Sequence, residues 1–356
     1  MAPVRVLFAN NYDMARARAG WRAGAYPSHH LFGTARLGDP FEVVDLPYGR
    51  EDLLGRLTDR TRGRLGDVGQ QLAAARRARP GSIVYGAAAQ DLRSLAALRA
   101  AGLVRAPIVG VFHGVPRGPL ARAALRGFDH AIAMSRHTRR GLLERGMPAA
   151  RITVLGWGPD LDFPGFASAG PAARDAPVVA TGKTGRDMRT LLRALAAAGA
   201  PARVYGEREE LRAAGPIPPG VEVLPTLAAG RSSSAPLSYE HTLADLRSAA
   251  VVAIPLADPA PLHGLTEVVD ALACARPMIL TRAPYFDFDI EEIGCGWWVR
   301  RGDLAGWSER LAEAMADRDR LEQMGRAGRA WAGEHLNARL FADGVRRVLL
   351  DVAGEG

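Results

Sequence analysis

The sequence predicts an α/β protein built from two doubly wound parallel sheets, and three observations predict it. Short apolar, strand-like runs alternate with helical patterns from Val4 onward, and the alternation starts afresh at residue 177. Between the two series, residues 164–176 are rich in Pro, Gly, Ala and Ser and carry little apolar periodicity, as a linker does. A length of 356 residues suits two domains with substantial cores. The expected division is a first domain over residues 1–163, a linker over 164–176, a second domain over 177–335 and a terminal helical segment over 336–356.

In the first half, strand-like runs fall at 4–9, 41–46, 82–85, 108–112, 131–134 and 152–155, with helical stretches between them. The longest helical stretch is 51–79. Ligands of doubly wound sheets bind beyond the carboxyl ends of the strands, so the residues just after each strand are the ones to weigh. After the first strand come Asn10, Asn11, Tyr12 and Asp13, whose polar side chains face the crevice on one reading and simply build an Asx-rich turn on the other. Trp21, Pro27, His29, His30 and Leu31 follow as the opening of a helix. Adjacent helical histidines point to different faces, so a two-histidine metal site is not expected there. One of the pair caps or contacts an acceptor and the other is half buried. Asn10, Asn11 and His30 are the candidates here to face a ligand. After the fourth strand stands His113-Gly114, either a satisfied core histidine or a group lining the crevice; the second reading is favoured. Ser135 is placed to cap the helix that follows it.

In the second half, strand-like runs fall at 178–181, 203–205, 221–224, 251–255, 277–280 and 296–299, with helices at 187–197, 240–248 and 304–316. The first of these strands ends in Gly182-Lys183-Thr184-Gly185-Arg186-Asp187. Glycines let a backbone approach phosphate, the following helix offers its positive end, and Lys183 and Arg186 add full charges. The spacing is not that of a Walker A loop. A surface loop with two solvated charges is the plainer alternative. Lys183 is the only lysine of the chain, and its place in a Gly-rich strand-to-helix turn favours phosphate. Residues 231–236, with three consecutive serines, read as a loop. Residues 336–353 read as a final helix.

Composition narrows the function classes. Hydrophobic residues make up 48% and charged residues 24%, within the globular range, and no run of eighteen apolar residues suggests a spanning helix. The N-terminus enters a strand at once, without the pattern of a signal peptide. Cys274 and Cys295 have no metal or redox spacing and read as small core residues of a cytoplasmic protein. The net charge of +8 comes almost wholly from arginine, a compositional bias more than a nucleic-acid footprint. Arg117, Arg122, Arg136, Arg139 and Arg140, with the stretch 56–79, can make a basic face for an anionic membrane; a solvated surface is the preferred reading.

Residues 261–280 carry the densest signal. A Gly-containing turn leads into a helix with Val268, Ala271, Leu272 and Cys274 at helical spacing, ended by Arg276-Pro277 and followed by a buried strand. The amides of Gly264, Leu265 and Thr266 then stand open at a helix N-terminus, a good seat for phosphate or a sugar hydroxyl. Thr266 is placed to cap, with Glu267 and Asp270 in the first turn. An ordinary capped helix between two strands is the bland alternative.

The wording of this stretch resembles the signature of family 4 retaining glycosyltransferases of the GT-B fold. The matching residues are Gly264-Leu265-Thr266, then Asp270-Ala271-Leu272-Ala273, then Ala275-Arg276-Pro277-Met278-Ile279. Residues 135–160, ending Gly156-Trp157-Gly158-Pro159-Asp160, resemble the interdomain segment of the same enzymes. The family signature holds two glutamates separated by seven residues. Asp270 falls at the second, the nucleotide-ribose contact. No glutamate falls at the first, where Leu262 stands counting back from Asp270, or Pro261 if the turn glycine is aligned.

The resemblance implies two Rossmann-like domains facing a cleft, the first on the acceptor side and the second binding the donor, with a terminal helix that crosses back to the first. It implies transfer of a sugar from a nucleotide-diphosphate donor with retention, without metal or other cofactor. Lys183 and Arg186 match the charges that grip the donor diphosphate, in reversed order, and His113 the histidine that faces the donor sugar; these three are the catalytic candidates. Gly182, Thr226, His263, Gly264, Leu265, Thr266, Glu267 and Asp270 join Lys183 and Arg186 as donor-binding candidates, Thr226 near the base. The acceptor is a small specialised metabolite or a lipid-linked envelope glycan. The alternatives are a GT-B nucleotide-sugar epimerase and a catalytically inactive GT-B binding subunit.

Overall fold

The computed structural model describes residues 3–49, 53–166, 173, 175–182, 185–206, 208–225, 235–258 and 262–354. They divide into two units. The first runs to Trp157 and also takes the helix that starts at Ala338; the second runs from Gly158 to Asn337.

The first unit holds strands β1 (Val4–Ala9), β2 (Phe41–Asp45), β3 (Ser82–Gly86), β4 (Ile108–Phe112), β5 (His130–Ala133) and β6 (Ile152–Val154), in the order β2-β1-β3-β4-β5-β6. Every pairing is parallel. Helices cover both faces of such a sheet, so its inner strands are continuous apolar runs: all of β3 and β4 is buried, whereas edge strand β2 is partly exposed. The predicted single helix over 51–79 is in fact two, Leu53–Leu65 and Val68–Arg77. Gly66 breaks it with φ +83°, and a Cβ there would lie 2.5 Å from the Asp91 carbonyl oxygen. Asp67 then restarts the helix by accepting from the Gln70 amide. The histidine segment is also not α-helical: the α-helix Met14–Arg22 ends before it, and Ser28–Leu31 is a 3-10 turn.

The last helix, Ala338–Gly354, belongs to the first unit as expected. Its Phe341, Val345 and Leu349 are buried, its Gly344 packs on Leu155, and Arg346 donates to the carbonyls of Leu37 and Asp39.

The second unit holds β7 (Val178–Ala180), β8 (Ala202–Tyr205), β9 (Val221–Leu224), β10 (Val251–Ile254), β11 (Met278–Thr281) and β12 (Gly296–Val299), all parallel in the order β12-β11-β10-β7-β8-β9. Cys274 and Cys295 are fully buried in its core beside Leu272 and Ile290. The expected linker opens with a 3-10 turn, Pro164–Phe166, whose Phe166 is buried in that same core. The helix predicted over 240–248 starts earlier, at Ala235. Among the described residues no helix is long and apolar enough to cross a membrane.

Candidate functional site

The strand order locates a crevice in the second unit. From β7 the chain winds outward through β8 and β9, then returns to β10 on the other side of β7. The loops leaving β7 and β10 therefore diverge at a topological switch point, where doubly wound sheets bind ligands. Here the two loops are joined by backbone. Arg186 and Leu256 form an antiparallel bridge, Asp187 donates to the Pro255 carbonyl at 3.0 Å, and Ala257 donates to the Gly185 carbonyl at 2.9 Å. Asp187 then caps the helix Met188–Ala198 through the Thr190 amide and hydroxyl.

Beyond β10 the chain reaches Gly264, which stands at φ +83° as the N-cap of the helix Leu265–Ala273. A Cβ there would lie 2.9 Å from the Ile254 side chain, so both backbone angle and space require glycine. Val268 donates to the Gly264 carbonyl and closes the first turn, which leaves the preceding amides without intrahelical partners. Thr266 does not cap: the N-cap is Gly264, and Thr266 lies inside the first turn and is exposed. The left-handed glycine sets the entry angle instead.

Glu267 lies in the first turn, as expected, and its carboxylate pairs with the Arg186 guanidinium, both side chains being nearly buried. The guanidinium lies directly over Gly182, where any Cβ would collide with it. The His263 imidazole packs on Gly185. Burial first, and then the positive Arg186, hold His263 below its ordinary pKa. The loop thus draws together Gly182, Arg186, His263, Gly264 and Glu267.

Asp270 departs from expectation. The helix begins at Leu265, so Asp270 lies in the second turn, not the first. It is buried, and Tyr239 donates its hydroxyl to Oδ1 at 2.7 Å. Burial, with some help from the nearby Glu267 charge, raises its pKa to about 7 despite the Tyr239 bond. Sequence reasoning did not find Tyr239, which lies 31 residues away in the helix Ala235–Ser248. Lys183 and Thr226 lie outside the described residues.

In the first unit the switch point lies between β1 and β3, where Ala87 donates to the Ala9 carbonyl. Asn10 is buried there and closed off. Its amide donates to Gln70 Oε1 at 3.0 Å, its carbonyl accepts from Gln70 Nε2 at 2.5 Å, and its own side chain bonds Met14 and the Asn11 amide. Asp13 caps the Met14–Arg22 helix. This segment is a built turn, with Asn11 at its partly exposed edge. His113 follows β4, its Nε2 at 2.7 Å from the Ala87 carbonyl oxygen. A carbonyl only accepts, so the proton is on Nε2 and Nδ1 is the acceptor. Burial lowers its pKa, which keeps the ring neutral.

His29 and His30 do not point to different faces. Their ring centroids are 4.2 Å apart, and both rings pack against Trp157, whose indole donates to the His29 carbonyl. Aromatic packing decides the ring directions here, and the helical spacing argument against a two-histidine site does not apply to a 3-10 turn. Burial lowers both pKa values, that of His30 to about 3. The first unit also contains a cleft that the sequence did not reveal. Tyr48, Thr58, Asp59, Arg62 and Asp67 line it, together with Pro47 and three glycines.

No family model and no curated protein matches the sequence. Solved structures do match along nearly the whole chain. HepE of Anabaena in complex with UDP-glucose superposes with a TM-score of 0.65 at 14% identity, covering 98% of this chain and 99% of that one. A glycosyltransferase from Rickettsia africae gives 0.63 at 11% identity, covering 100% of both chains. A putative UDP-N-acetylglucosamine 2-epimerase from Listeria monocytogenes gives 0.56 at 12% identity, covering 100% of this chain and 98% of that one. With two parallel six-stranded sheets flanked by helices and a last helix that belongs with the first, the chain has the GT-B fold.

Proposed function

We propose that the protein is a glycosyltransferase that moves a hexosyl group from a nucleotide-diphosphate sugar to an acceptor, with retention, without a metal and in the cytoplasm. The observation that supports it best is the crevice between β7 and β10. There a Gly-rich loop with Arg186 meets an open helix N-terminus at Gly264, the combination that suits a diphosphate. HepE, which shares the fold, binds UDP-glucose. In this reading Arg186 and Lys183 stabilise the charge that builds on the departing diphosphate, a preorganised electrostatic contribution. The bond from the anomeric carbon to the diphosphate breaks, the acceptor hydroxyl oxygen bonds to that carbon on the same face, and an oxygen of the departing nucleoside diphosphate takes the hydroxyl proton. Gly182, His263 and the amides around Leu265 and Thr266 shape the phosphate seat, Asp270 meets the ribose, and Thr226 lies near the base. His113 offers a neutral acceptor nitrogen to the donor sugar. Asn11 and His30 remain on the acceptor side, and Asn10 holds the Asn11 turn in place.

The acceptor is a small specialised metabolite or a lipid-linked envelope glycan. Flotation with anionic vesicles at low and physiological salt separates the two, since salt-sensitive co-flotation selects the lipid-linked acceptor.

The test is a panel of nucleotide sugars, each incubated with the protein in chelator, with nucleoside diphosphate release and sugar transfer followed by mass spectrometry. Release or transfer from one donor, with the anomeric configuration kept in the product, is expected. The Listeria neighbour gives a second reading some weight. An epimerase would change the stereochemistry of the donor sugar without an acceptor and without altering its mass. Binding of a donor with neither outcome would identify an inactive binding subunit, to which the absence of a glutamate at Leu262 also points.

A further inference from the structure

Arg186 carries the described positive charge of the loop after β7, yet that charge is already answered from within the chain. Its guanidinium is held by the Glu267 carboxylate, and the two side chains are only 6% and 11% exposed. The arrangement is built. Gly182 alone leaves room for the guanidinium, and the Arg186–Leu256 bridge holds its backbone. Glu267 also stands three residues past the N-cap. His263, seated on Gly185, has a buried Nδ1 with no hydrogen-bond partner among the described residues.

A carboxylate in the fork of an arginine uses the same N–H donors that a phosphate uses. The two therefore compete. We propose that Glu267 is an internal stand-in for the donor diphosphate, occupying Arg186 while the site is empty and giving it up when the anion binds. This rests on the reading of Arg186 as a diphosphate contact.

Two consequences follow from the competition. The empty site keeps Arg186 oriented instead of leaving a buried charge unpaired. The competitor also penalises weak anions more than strong ones, because only a ligand with further contacts can displace a tethered carboxylate. Glu267 thereby sets selectivity for a diphosphate over orthophosphate, a discrimination made by a built-in cost against the wrong ligand.

Titration calorimetry of the full chain with UDP, inorganic pyrophosphate and orthophosphate tests this. Glu267→Gln should bind UDP and pyrophosphate roughly tenfold more tightly than the parent, the scale of one charged hydrogen bond. It should also bring measurable orthophosphate binding. Arg186→Ala should weaken UDP, and in that background Glu267→Gln should give no gain, because its partner is gone. Glu267→Asp, one methylene shorter, should also gain affinity by a smaller factor. It decides the matter if thermal melting shows that Glu267→Gln does not fold. If the glutamate variants bind UDP no more tightly than the parent while Arg186→Ala loses affinity, the competition is wrong and the donor site stands. If Arg186→Ala binds UDP like the parent, the donor reading itself fails, and this inference with it.

Discussion

The two units solve the same topological problem differently. Each sheet has a switch point, between β1 and β3 in the first unit and between β7 and β10 in the second. In the second unit, counted from its own first strand, the order is the one common to dinucleotide-binding folds; in the first it is the flavodoxin-like order. At the second unit's crevice a charged pair, Arg186 and Glu267, stands beside His263 and the glycine-started end of the helix Leu265–Ala273. At the first unit's crevice the polar groups are neutral and consumed. Gln70 reaches across 60 residues to bond both the amide and the carbonyl of Asn10. Topology thus marks where a ligand can bind, and the side chains decide whether the place is kept open or stitched shut.

Variants at the two crevices should differ in kind and in size. The largest effect belongs to the charged crevice. Arg186→Ala and Lys183→Ala should each lower turnover at saturating donor by roughly 10²–10³, with the melting midpoint little changed for Lys183→Ala. Steady-state kinetics with the donor found by the panel assay checks this, and unchanged turnover in both variants would remove the open crevice from the contrast.

Asp270→Asn should come next. It should weaken binding of the nucleoside diphosphate and of the full donor by about 1.5–3 kcal/mol, the contribution of a charged hydrogen bond. Its effect on stability has a defined sign. An aspartate raised from 3.8 to about 7 by burial binds its proton more tightly when folded. Stability is then full below the unfolded value of 3.8 and falls as pH rises toward 7. An asparagine side chain at this position cannot ionise, so the variant should melt at a higher temperature than the parent at about pH 8 and lose that advantage at about pH 4. Loss of nucleoside diphosphate binding in Glu267→Gln with none in Asp270→Asn would exchange the roles given to these two residues.

The closed crevice should behave oppositely. Gln70→Ala leaves two buried backbone groups of Asn10 without partners and should cost about 2 kcal/mol of stability. Affinity for UDP should stay at the parent value. A titration showing weakened UDP binding by this variant would mean that the first unit's crevice also serves the donor. The smallest effect is expected for Tyr239→Phe. Losing one hydrogen bond to Asp270 should weaken UDP binding by about 0.5–1.5 kcal/mol, without lowering turnover at saturation.

Much of the fold was legible because it rests on local patterns. Apolar runs marked the twelve described strands to within a residue or two at their ends, and Ser135 stood where a helix cap is needed; Asp187, read as the first helical residue, is itself a cap. The glycine before the helix Leu265–Ala273 was visible too, and so was the Glu267 carboxylate in its first turn. The failures arose where a contact distant in sequence overrides the local pattern. The stretch over 51–79 has helical periodicity throughout, and only the approach of the Asp91 carbonyl to Gly66 shows why it must break. Adjacent histidines point apart on an α-helix, but His29 and His30 lie in a 3-10 turn whose rings are gathered by Trp157.

The strands, most helices, the two-sheet organisation and the Gly-rich turns can be read along the chain. These follow from backbone preference and from the period of apolar residues, which neighbouring positions encode. Which polar groups meet is set by the folded packing. Arg186 finds Glu267 across 81 residues, Asp270 finds Tyr239 across 31, and Asn10 is sealed by Gln70 across 60. Such partners depend on where the strand ends come together in a sheet, and a buried charge or amide takes whichever complementary group the packing brings within reach.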